Sequence, residues 1–70
     1  MIKFDRLWDT LKDKGISQSK LITEYHISKG QLDRLRHNKV VCTSTLDKLL
    51  NILECDITDI LEHIPDSNKF

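Results

Sequence analysis

Ser28–Lys39, SKGQLDRLRHNK, holds the densest run of long-armed polar side chains in the sequence. Its only apolar residues are Leu32 and Leu35. A helix formed here buries a narrow stripe and leaves Lys29, Gly30, Gln31, Asp33, Arg34, Arg36 and His37 outside. Lys29, Gly30 and Asp33 share one face by their three- and four-residue spacing, as do Gly30, Asp33 and Arg34. Such a face can enter the major groove of a duplex. Arg or Lys there donates to guanine O6 and N7, and Gln pairs with adenine. A merely solvated helix face has the same composition, so composition alone leaves both readings open.

The other chemistry-bearing residues point nowhere else. Cys42 and Cys55 are too few for a disulfide scaffold and read as free, partly buried thiols. No C-x-x-C or H-x-x-x-H pair offers a metal site, and His26, His37 and His63 read as solvated. There is no G-x-S-x-G and no Gly-rich phosphate loop, so an enzyme is not expected, and neither a metal nor a cofactor is implied.

The elements that must hold this face follow from periodicity. Phe4, Leu7, Trp8 and Leu11 recur at helical spacing, which predicts a helix over residues 5–14 with Asp5 as N-cap and Gly15 as its stop. Ser17 caps a second segment, SQSKLITEY, with Leu21, Ile22 and Tyr25 inward. His26, Ile27 and Ser28 break it. Ser28 caps the third helix and Asn38 closes it. Two helices joined by three residues cross steeply, as in a helix-turn-helix. Thr43 or Ser44 caps a fourth helix, with Leu46, Leu49, Leu50 and Leu53 inward. A fifth begins near Thr58, buries Ile57, Ile60, Leu61 and Ile64, and stops at Pro65. No segment alternates with period two, so no central sheet is expected. The fold class is all-α, five short helices around one core, with residues 1–64 as a single domain and 65–70 as a flexible tail.

Charge is distributed unevenly. The 70 residues hold 11 Lys+Arg and 11 Asp+Glu, a formal net charge of zero. Residues 20–39 hold five basic and two acidic side chains, a net of +3, while residues 40–70 hold two basic and six acidic, a net of −4. The basic excess therefore lies on the second and third helices and the loop after them, which suits an anionic partner on one side only. No apolar run approaches the roughly 20 residues of a membrane span, and MIKFDRLW is too charged for a secretory signal, so a cytoplasmic protein with no membrane partner is expected.

ISQSKLITEYHISKGQLDRLRHNK resembles the helix-turn-helix of Cro/phage-repressor-like (XRE-type) transcriptional regulators. Ser17-Gln18, Leu21, Ile27-Ser28, Leu32 and Leu35 carry the resemblance, and the leucine-rich fourth helix followed by LECDITDILEHI extends it over nearly the whole chain. The resemblance implies sequence-specific binding of double-stranded DNA. Lys29, Gly30 and Arg34 match base-reading positions, and Gln31 lies beside them. Gln18 matches a residue that binds phosphate and braces the recognition helix. Ser17 and Ser28 sit at helix starts suited to phosphate, and Asn38 and Lys39 match the loop that grips backbone. Three residues depart from the pattern. Ile22 stands where a small Ala is usual, His26 where Gly is frequent, and Gly30 brings no side chain to a base-reading position.

A half-site of about five base pairs read by one helix carries little information. A homodimer on a palindromic operator, with its helices one DNA turn or ~34 Å apart, is therefore expected, most simply as a repressor. The alternative is a protein-interaction module on the same fold, antitoxin-like or an anti-regulator, whose acidic Glu54, Asp56, Asp59 and Glu62 face a basic protein partner.

Overall fold

The computed structural model describes residues 1–66, so the tail expected over 65–70 falls largely outside the described residues. The chain opens with strand β1 (Ile2–Lys3). Four helices follow: α1 (Asp5–Lys14), α2 (Gln18–Thr23), α3 (Lys29–Arg36) and α4 (Thr43–Leu53). A single 3-10 turn (Ile57–Asp59) leads into strand β2 (Glu62–His63). The all-α expectation holds, with four helices instead of five.

Local chemistry explains most boundaries. Gly15 ends α1 at φ 69, with its N–H on the carbonyls of Leu11 and Lys12. The Ser17 and Ser28 hydroxyls accept the amides of Lys20 and Gln31, each at 3.1 Å, and so start α2 and α3. Other caps differ from expectation. Phe4 precedes α1 without a side-chain cap, which makes Asp5 the first helical residue. Cys42, not Thr43 or Ser44, is the N-cap of α4. His37 is the C-cap of α3, and Asn38 follows it at φ 54. Because α2 ends at Thr23, five residues and not three connect it to α3.

The fifth helix is replaced by reciprocal capping and strand pairing. Asp56 and Asp59 cap each other's backbone amides, and the amides of Ile60 and Leu61 both fold back onto Ile57 O at 3.0 Å. The chain then pairs with its own start: β2 runs antiparallel to β1, Ile2 opposite His63 and Lys3 opposite Glu62. Ile60 alone of the four predicted inward residues is fully buried; Leu61 is half-buried, and Ile57 and Ile64 are exposed. The two-residue strands are too short to show a period in sequence.

One core serves every helix. Phe4, Leu7 and Leu11 come from α1 and its start, Leu21 and Ile27 from α2 and the turn, Leu32 and Leu35 from α3, Leu49 and Leu53 from α4, and Ile60 closes it. Ile22 packs at its edge, half-buried. Both cysteines are free thiols, but Cys42 is exposed, not partly buried, because it caps a helix at the surface. Burial raises the Cys55 thiol above its usual range; Asp59 adds to this and Lys14 opposes it. No helix among the described residues is long and apolar enough to cross a membrane.

Candidate nucleic-acid interface

The interface is built on α3, which Leu32 and Leu35, both fully buried, anchor to the core. Their three-residue spacing sets the rotation of the helix, so Lys29, Gly30, Asp33 and Arg34 all lie exposed on the opposite side. Lys29 and Arg34 make no ion pair with any described residue, and the same holds for Lys39. Their charges are thus available to an outside anion. A Cβ on Gly30 would meet nothing nearer than Ser28 Oγ at 4.0 Å, so packing does not require glycine there.

Beside this free set lies a tied one. Gln18 Oε1, at the start of α2, accepts from Arg36 Nε at 3.2 Å and also from Arg36 Nη2. Arg36 also lies 4.0 Å from Asp33 Oδ1, and His37 Nδ1 lies 3.4 Å from the same oxygen. This chain of contacts fixes α2 against the far end of α3. It also commits the Gln18 carbonyl oxygen inward, which leaves its NH2 as the outward group, a donor suited to phosphate.

The remaining predicted positions divide in the same way. Ser17 and Ser28 use their oxygens as cap acceptors, so each hydroxyl proton stays free to donate. Gln31 is half-buried and turned toward α4, its Oε1 accepting from Thr45 Oγ1 at 3.4 Å. Asn38 Oδ1 accepts the Phe4 amide at 2.7 Å, which pins the loop after α3 to the start of the chain. So Lys29, Gly30 and Arg34 share the open face, Lys39 follows it, and Gln31 and Asn38 hold its flanks. Sequence reasoning did not single out Arg36 as a site residue. Its place seven residues after Lys29 is a weak signal, and its partner Gln18 is eighteen residues distant.

The connection between α2 and α3 explains the steep approach of the two helices. His26 sits at φ 59, in the left-handed region, and the Ile27 amide returns to Leu21 O at 2.9 Å. The buried Ile27 then plugs the angle between them. Glycine fits such a backbone best, and His is an uncommon occupant.

This geometry agrees with comparison to known proteins. The crystal structure of the transcriptional regulator VanUg (Form II) superposes with a TM-score of 0.82 at 28% identity, covering 93% of this chain and 87% of that one. No curated protein matches the sequence. The sequence profile of the Cro/C1-type HTH DNA-binding domain matches residues 6–66, which include all four helices but for Asp5, and the chain belongs to that family.

Proposed function

We propose that the protein is a transcriptional repressor that reads double-stranded DNA through the major groove with α3, as a homodimer on a palindromic operator. The observation that carries this reading is the open face of Lys29, Gly30 and Arg34, followed by Lys39, whose cations have no partner among the described residues. Lys29, Gly30, Gln31 and Arg34 face base edges; Ser17, Gln18, Ser28, Asn38 and Lys39 face phosphates. Residues 1–64 act as one domain in the cytoplasm, since the β1–β2 ribbon joins both ends of the chain. The protein-partner alternative loses support because Asp56 and Asp59 are spent on capping and Glu62 on Arg6 at 3.1 Å.

Fluorescence anisotropy on a random-sequence duplex pool, from about 50 to 300 mM salt, tests this reading. A dimer gripping about eight phosphates gives a log–log slope near −7. Selected sequences should outlast the pool at high salt and reveal two half-sites one turn apart. Absence of binding at the lowest salt, where electrostatics are strongest, overturns the DNA reading.

A further inference from the structure

Between β1 and the loop after α3 lies an open groove of about 520 Å³. Phe4, Leu46 and Leu61 form its floor, and Met1, Ile2 and Val40 its rim. Val40 is 89% exposed and Met1 53%, a high exposure for apolar side chains in a 70-residue protein. With Ile2 they leave on the order of 350 Å² of apolar surface in water, the scale at which a patch marks a contact site. The backbone of the rim is also open. Met1 and Ile64 exchange both their hydrogen bonds at 2.8 Å, so antiparallel alternation turns the N–H and C=O of Ile2 away from β2.

We propose that this groove seats a second copy of the chain, so that Val40 of each protomer packs against the Met1–Ile2 rim of the other about a two-fold axis. The choice of a second copy rests on the DNA-binding reading above. Two recognition helices one turn apart place the axis about 17 Å from the centre of each helix. From the middle of α3 to Val40 the chain runs half a helix and four residues, a reach of at most ~19 Å. The patch thus sits where the axis must pass, directly after the proposed phosphate contact Lys39.

The other cleft is unsuited to that place. It lies between α1 and the end of α4 and is lined by Asp13, Glu54, Asp56 and Asp59, whose charges repel a duplex. The apolar area is well under the roughly 800 Å² per partner of a standard interface, so the dimer is weak in solution. Two half-sites on one duplex then raise the effective concentration and complete it.

Sedimentation velocity on the full chain, from about 10 µM to 1 mM, tests the interface without DNA. The wild type should shift from monomer toward dimer across this range. Val40→Lys, at a position too exposed to affect folding, should stay monomeric at the top of the range with an unchanged Tm, a loss of at least tenfold in association. A wild type that is monomeric throughout, or a variant that dimerises like it, overturns the proposal. Anisotropy on a duplex carrying one half-site separates the two readings. Equal binding by wild type and Val40→Lys sustains the DNA reading whatever the sedimentation shows. Binding by neither removes the DNA reading and the positional argument for the axis, while sedimentation still decides the dimer.

Discussion

Arg34 and Lys39 carry the same charge but should behave differently, because one stands on the helix face and the other in the loop behind it. Arg34 is exposed on the side of α3 opposite Leu32 and Leu35, where a guanidinium reaches guanine O6 and N7. Arg34→Ala should cost ~1–3 kcal/mol of specific binding and relax one base preference, read by gel shift against single-base operator variants. Equal affinity for the operator would remove Arg34 from the reading face. Lys39 meets only backbone phosphate in this arrangement. Lys39→Ala should weaken binding evenly across sequences and lower the magnitude of the salt slope by about one. The open face was legible in the sequence because Lys29, Gly30 and Arg34 are set by local helical spacing around two leucines. The tied residues were not. Arg36 finds Gln18 across eighteen positions and Asn38 finds Phe4 across thirty-four, and no local period encodes such distances.

At the scale of the elements, the turns carry strain that substitution can expose. Gly15 and His26 both sit in the left-handed region, at φ 69 and 59. A Cβ on Gly15 has open space, so Gly15→Ala pays only the conformational penalty, about 1 kcal/mol of stability. His26→Gly works in the opposite direction. Relief of the left-handed strain exceeds the entropy that glycine adds to the unfolded chain, for a net gain of about 0.5 kcal/mol. Urea denaturation of the two variants checks both signs at once; a loss of stability in His26→Gly would mean that its side chain contributes contacts that outweigh the strain. Ser17, Ser28 and Gly15 announced their helix ends because their chemistry is local. The fifth helix misled because Ile57, Ile60, Leu61 and Ile64 satisfy helical spacing while the backbone has better options. Mutual capping by Asp56 and Asp59 tightens one turn, and the next residues find β1 at the far end of the sequence.

The molecule as a whole places a basic face and an acidic rear on one shared core, so fold and function are separable by experiment. Folded domains are stable by only about 0.05–0.15 kcal/mol per residue. Leu49 lies on α4, fully buried and away from the α3 face. Leu49→Ala should cost ~2–5 kcal/mol, a large part of the total, and lower Tm and DNA binding together. Arg34→Ala should leave Tm in the absence of DNA where it is. Operator DNA then distinguishes the two classes by mass action: at a hundredfold excess over Kd it stabilises the folded form by about 2.7 kcal/mol. Wild type and Leu49→Ala should both gain Tm on adding operator, the latter from a lower start, because the Leu49→Ala fraction that folds still presents Lys29, Arg34 and Lys39. Arg34→Ala should gain markedly less at the same concentration. If Leu49→Ala keeps its Tm but loses the gain from DNA, then α4 takes part in binding directly, and the division between a supporting core and a reading face is drawn in the wrong place.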